Sequence, residues 1–251
     1  MIKLSISGAQ GRMGQAVLHL AAQDADVTIV EAIDRKKEVL DSGREIVTTH
    51  DGDADVLIDF TTPEAFRLRL AECVKHKTAF LSGTTGLSSK DFAALDKAAK
   101  TIPVMHAGNY SLGVTLLCEL VAHACRVVGH YDIEIVEMHH NRKVDAPSGT
   151  ANMLLKSACD ALGWDPAKAA VHGRQGHTGP RGQKEIGIHA LRGGDVFGDH
   201  SVIFAGQGER IELTHKAANR DTFAAGAIKA AKFLFSRKPG RYTVRDVLLE
   251  G

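Results

Sequence analysis

No run of 18 apolar residues occurs in this sequence, which excludes a hydrophobic membrane-spanning helix. An excess of one charge is also missing: 31 Lys and Arg face 30 Asp and Glu, and a formal net charge of +1 argues against a general nucleic-acid surface. A local basic cluster could still hold a small anion. Cysteine is sparse and unpaired in pattern. Cys73, Cys118, Cys125 and Cys159 form no CxxC motif, and three of them sit in segments of helical periodicity. Reduced core thiols are expected, not a disulfide framework or a metal site. The opening MIKLSISGA has no apolar core of signal-peptide length and meets glycine at once, so a cytoplasmic protein is expected. What remains is an ordinary globular composition, 44% apolar and 24% charged, in 251 residues. That length suits one large domain or two modest ones.

Over the first 110 residues, short apolar runs alternate with helical patterns. Strands are expected at 2–7, 27–33, 56–60, 79–82 and 102–106, and helices at 13–22, 64–76 and 89–100. Such alternation predicts a parallel, doubly wound α/β sheet. From residue 111 the pattern changes. A long apolar helix over 112–128 leads to a strand at 132–138, a loop, and a helix over 150–162. Strand-like runs then follow at 185–191, 199–204 and 210–217 with no helix between them, which predicts a second, more open α+β sheet. A last helix over 222–235 and a short strand or turn end the chain.

Two motifs carry chemistry. After the first strand comes Gly8-Ala9-Gln10-Gly11-Arg12-Met13-Gly14, then a helix. Glycines in that context let the backbone turn tightly and let a pyrophosphate approach the N–H groups that open the helix. Asp34 ends the second strand, 20 residues after Gly14, where a carboxylate accepts from ribose hydroxyls. Arg35 and Lys36 beside it suit a 2′-phosphate instead, so both NADH and NADPH are open. Gly83-Thr84-Thr85-Gly86 follows the fourth strand and Asn109-Tyr110-Ser111 the fifth. Both sit at carboxyl ends of strands, where ligands of parallel sheets collect.

The second motif is EMHHNRKVDAPSGTA, Glu137 to Ala151. Adjacent residues of a strand face opposite ways, so His139 and His140 cannot both ligate one ion, and no metal is expected. Pro147-Ser148-Gly149 is not a hydrolase elbow of the GxSxG type. Ser148, Gly149 and Thr150 instead suit a helix start able to hold a carboxylate. His139, His140, Arg142 and Lys143 add positive potential, and His139 or Lys143 could act as general acid beside an anionic substrate.

Taken together, GAQGRMG, IDFTTPE, GTTG, NYS, the E-x-HH-x-x-K-x-DAPSGTA block, GHTG and ERIELTHKA span nearly the whole chain. In that order they resemble the dihydrodipicolinate reductase (4-hydroxy-tetrahydrodipicolinate reductase) family. The resemblance implies reduction of a cyclic dicarboxylate by NADH or NADPH on the diaminopimelate route to lysine. It implies a Rossmann-type domain over 1–110 completed by 220–251, and a domain over 111–219 that binds substrate and builds a homotetramer. It implies His139 as proton donor with Lys143 as partner, and substrate contacts at His140, Ser148, Gly149, Thr150 and Arg220. Cofactor contacts are implied at Gly8 to Met13, Asp34, Arg35, Gly83 to Thr85 and Ala107, Gly108, Asn109 and Tyr110. The stretch between Asp34 and Val56 is shorter than the family's usual one, and Met138 stands where a smaller residue is common.

Two other functions lack the residues they need. A semialdehyde-type dehydrogenase needs a nucleophilic cysteine where the domains join, and none is there. An NADH-sensing regulator needs a DNA-binding module, and no basic stripe remains to make one.

Overall fold

The computed structural model describes residues 1–250, which form two compact units. Residues 1–112 and 220–250 make the first, and 113–219 the second.

The first unit is built on seven parallel strands. In chain order its elements are β1 (Ile2–Ser7), α1 (Arg12–Ala21), β2 (Val27–Ile33), β3 (Ile46–Val47), β4 (Val56–Asp59), α2 (Pro63–His76), β5 (Ala79–Ser82), α3 (Ser89–Ala98) and β6 (Pro103–His106). The sheet order is β12-β6-β5-β4-β1-β2-β3, where β12 (Gly240–Tyr242) comes from the far end of the chain. Strand order reverses between β1 and β4, so ligands are expected above the carboxyl ends there. Buried on both faces, the strands read as unbroken apolar runs, as in Val56-Leu57-Ile58. Helix starts are set by local chemistry. Thr62 caps α2 with Pro63 in its first turn, and Ser88 and Asp91 form a capping box on α3.

The C-terminal segment supplies α7 (Asp221–Phe235), β12 and α8 (Val244–Glu250) to this unit. Along α7, Ala224, Ala227, Ala230 and Ala231 are fully buried in the core that also holds Leu4, Ile6 and Ile58. Small residues let the helix approach closely: a Cβ added at Gly226 would stand 1.8 Å from the Tyr110 carbonyl oxygen. Truncating Leu234, also fully buried, to alanine is expected to cost about 3 kcal/mol.

The second unit holds most of α4 (Leu112–Val128), then β7 (Asp132–His139), α5 (Gly149–Leu162), α6 (Pro166–Ala169), β8 (Ala170–His172), β9 (Ile186–Arg192), β10 (Gly198–Ala205) and β11 (Arg210–Ala217). Its sheet is mixed, in order β11-β10-β7-β9-β8, with β7 parallel to β9 and antiparallel to β10. Period-two burial is strict along β7 and β10. On the buried face, Ile133, Ile135, Ile186, Ile188, Val202 and Phe204 join Leu154 and Leu155 of α5 in one apolar core. Toward the carboxyl end of β7 the same face turns polar, carrying Glu137 and His139, with His200 opposite Glu137 in the register. Sequence periodicity did not reveal the two-residue β3, the three-residue β8, or α6 and α8. Each is too short to show a repeat.

Candidate active site

At the carboxyl edge of the first unit's sheet, close backbone contacts explain the glycines. Gly8 has φ +84°, and a Cβ there would meet the Phe60 carbonyl oxygen at 2.5 Å. A Cβ at Gly14 would stand 2.0 Å from the Gly8 carbonyl oxygen. The turn therefore folds onto the first turn of α1, whose free N–H groups face an approaching anion. Asp34 sits at the end of β2, accepting from the Gln10 N–H at 2.9 Å and the Arg35 N–H at 2.7 Å. A carboxylate has acceptor capacity left for ribose hydroxyls after those two bonds. Gly8, Gly11, Asp34, Arg35 and Thr61 line a cavity of about 610 Å³. Arg12 is exposed and Met13 half-buried at the helix start.

Beneath this edge lies a hydroxyl network around Asp59, which is fully buried. Burial pushes its carboxyl up, against the hydroxyls of Thr61, Thr84 and Ser82, which donate at 2.6, 2.7 and 2.9 Å. The structure thus commits the side chain of Thr84 to Asp59. Tyr110 is likewise in the core, its hydroxyl donating to the Ser82 carbonyl at 2.8 Å. Of the cofactor contacts expected from sequence, Thr84 and Tyr110 can offer only main-chain groups, while Thr85 and Gly108 are exposed. Gly83 is required because a Cβ there would stand 2.1 Å from the Phe60 ring.

In the second unit, β7 continues through His139, which is 8% exposed on the same face as Glu137. Glu137 is fully buried. Its Oε2 accepts from His139 Nδ1 at 2.6 Å and Arg192 Nη1 at 2.8 Å; its Oε1 accepts from Arg192 Nη2 at 2.9 Å and the Ser148 N–H at 3.0 Å. Burial alone would raise this carboxyl, but the guanidinium and the ring hold it below the usual range. His140 lies just beyond the strand, its N–H donating to the Val196 carbonyl. Lys143 reaches Asp145 at 2.8 and 2.9 Å and lowers that carboxyl. Arg142 is exposed.

Helix α5 begins at Gly149, with Ser148 as its cap. The Ser148 hydroxyl accepts from the Ala151 N–H at 3.1 Å and pairs with His200 Nε2 at 2.9 Å. This refines the expectation for Ser148: hydroxyl and amide are both engaged within the protein, so the exposed main chain at Gly149 is what faces outward. The His200 ring stands edge-on to His139, centroids 5.1 Å apart, and burial followed by the His139 charge lowers its pKa to about 4. Arg220 belongs to the first unit, at the residue before α7, while the other expected substrate contacts belong to the second. Glu137, Arg192 and His200 were missed from sequence. Only Glu137 left a signal, its position two residues before His139 on one strand.

Seven parallel strands, a reversal beside the glycine turn and an acidic residue at the end of β2 make this a Rossmann-type, dinucleotide-binding protein. The family models for "Dihydrodipicolinate reductase, N-terminus" and "Dihydrodipicolinate reductase, C-terminus" match residues 2–110 and 113–248. The chain belongs to the dihydrodipicolinate reductase family. It is 45% identical to the 4-hydroxy-tetrahydrodipicolinate reductase of Alkalilimnicola ehrlichii and 42% identical to that of Halorhodospira halophila, with 98% of each chain covered in both cases. Among solved structures, a dipicolinate-bound dihydrodipicolinate reductase from Paenisporosarcina sp. TG-14 superposes with a TM-score of 0.75 at 24% identity, covering 97% of each chain. A diaminopimelate dehydrogenase of C. glutamicum shares the fold at a TM-score of 0.60 and 14% identity, over 100% of this chain and 96% of its own.

Proposed function

We propose that this chain reduces 4-hydroxy-tetrahydrodipicolinate to tetrahydrodipicolinate on the diaminopimelate route to lysine, with His139 and Lys143 managing the proton. Addition of hydride and a proton, with loss of the hydroxyl as water, balances the change. Nicotinamide held at the carboxyl edge of the first unit supplies the hydride. Gly8 to Met13 receive the pyrophosphate, Asp34 or Arg35 the ribose end, and the main chain of Gly83 to Thr85 and Ala107 to Tyr110 borders the ring. In the second unit, the exposed main chain at Gly149, with Thr150 and His140, receives carboxylates, and Lys143 leaves Asp145 for the substrate; Arg220, of the first unit, is a further carboxylate contact.

One observation carries this reading: the imidazole of His139 is anchored through Nδ1 to a buried carboxylate beside a helix start with an exposed glycine. Such an anchor orients a general acid toward a bound anion. The test is a coupled assay with freshly generated 4-hydroxy-tetrahydrodipicolinate, following NADH and NADPH oxidation separately. Turnover with competitive inhibition by pyridine-2,6-dicarboxylate supports the reading. No oxidation of either nucleotide sinks it.

The working form we propose is a cytoplasmic homotetramer. Opposite its helix-covered face, the second sheet presents Val136, Met138, Leu191 and Ile203, and Leu191 is 49% exposed. A partly apolar sheet face of that kind suits self-association. The four cysteines are all free thiols, consistent with a reducing compartment. Light scattering gives the mass: a monomer at micromolar concentration would remove the tetramer.

A further inference from the structure

We propose that Glu137, balanced by Arg192, is a positioning residue that links the acid to the carboxylate site, setting both the tautomer of His139 and the placement of the α5 N-terminus. The inference rests on the proton role given to His139 above.

Its first half follows from acceptor counting. Each oxygen of Glu137 takes two donors, so the carboxylate is saturated by His139, Arg192 and the Ser148 amide. A carboxylate cannot donate, so the bond at 2.6 Å requires a proton on His139 Nδ1. In the neutral ring Nε2 then carries the lone pair, and the exchanging proton arrives and leaves at Nε2 alone. The space beside that nitrogen is kept clear. A Cβ at Gly198 would stand 3.0 Å from Nε2 and 3.4 Å from the His200 ring.

The second half concerns the helix. The oxygen that takes the Ser148 N–H belongs to the same carboxylate, and the Ser148 hydroxyl reaches His200, whose ring rests on His139. His139, Glu137, Ser148 and His200 thus form a closed circuit across β7, α5 and β10, with Arg192 entering from β9. Displacing the carboxylate moves ring and helix start together.

Stability alone does not account for a fully buried carboxylate paired with a half-buried guanidinium here. Two and four residues earlier on β7, the same face is closed by Ile135 and Ile133, fully buried and apolar. Replacing a buried ion pair with well-packed apolar groups is often neutral or stabilising, so a charged pair at this position points to orientation.

Two variants and one spectroscopic measurement test this. Glu137→Gln leaves Arg192 uncompensated and risks misfolding, so Glu137→Gln with Arg192→Met, which removes the charges together, is made beside it. In the double variant the amide oxygen keeps the Ser148 N–H and the amide nitrogen donates to His139 Nδ1, forcing the proton of the neutral ring to Nε2. Expected results are a fall in kcat of roughly 100-fold or more, short of the ~10⁴-fold seen when the carboxylate behind an acid-base histidine is neutralised in a serine protease, a raised KM for the dicarboxylate, and unchanged NADPH affinity. Nitrogen-15 NMR of histidine-labelled protein, at a pH where the ring is neutral, is expected to show His139 protonated at Nδ1 in the natural chain and at Nε2 in the double variant. A folded double variant with near-normal kcat overturns the proposal, as does an Nε2–H tautomer in the natural chain. Because the NMR readout needs no turnover, an inactive natural chain would refute the assigned reaction while leaving the tautomer to be decided separately.

Discussion

The two units place polar groups in opposite ways. At the carboxyl edge of the parallel sheet, Gly8, Gly14 and Gly83 clear space, and in the function proposed above recognition falls to main-chain N–H groups and one carboxylate. At the end of the mixed sheet, the polar groups are side chains: buried Glu137, His139 and His200, with half-buried Arg192, hold one another across three strands. A cofactor that must bind and leave intact suits the first arrangement. A proton that must come from one nitrogen suits the second. With the proposed roles, the contrast teaches that one chain separates binding from chemistry by the kind of atom it uses.

The sharpest attempt to break that contrast is His139→Ala with Lys143→Ala. Turnover is expected to fall by about 10³-fold or more, while NADPH binding measured by fluorescence stays unchanged. Near-normal rates would move the acid elsewhere. On the other side, Gly14→Ala puts a methyl 2.0 Å from the Gly8 carbonyl oxygen. The expected cost is about 3 kcal/mol of stability in urea unfolding, with NADPH affinity lost as well; a stable variant that still binds would show that the turn can open.

Two smaller effects refine the comparison. The folded-state pKa of His200 lies near 4 against a usual 6.5. The unfolded chain binds a proton between those values that the native chain refuses, so stability rises with pH across that window. It is lost as pH falls from 6.5 toward 4, by an amount on the order of 3 kcal/mol. Glu137, Lys143, His139 and His215 all act on this ring. His200→Gln, which keeps a donor for Ser148, is expected to flatten the melting temperature against pH; an unchanged slope would assign the acid sensitivity to other groups. Asp34→Ala is expected to weaken NADH by about tenfold and NADPH less, since only the former depends on a carboxylate for its ribose. Equal losses in titrations with the two nucleotides would remove Asp34 from that site.

Much of this was legible in the residues because it rests on local rules. The alternation over the first 110 positions gives strands and helices close to those observed, and β11 spans the expected 210–217. Ser148 before Gly149 reads as a helix start because capping is a neighbour effect. The polar circuit was not legible. Glu137 meets Arg192 across 55 positions and Ser148 meets His200 across 52, separations set by sheet order. Spacing could also not reveal that the hydroxyls of Ser148, Thr84 and Tyr110 are consumed inside the protein, since that depends on what folds beneath them.

The discontinuity of the first unit has a bearing on synthesis. Residues 113–219 are contiguous, so the second unit leaves the ribosome whole and can close its sheet at once. The first unit emerges earlier but lacks Ala224, Ala227, Ile228, Ala230, Ala231 and Leu234 from its core until α7 has been made. The first part to be translated is therefore the last to be completed, and a chain halted at Asn219 would expose the apolar face that α7 covers to aggregation or proteolysis.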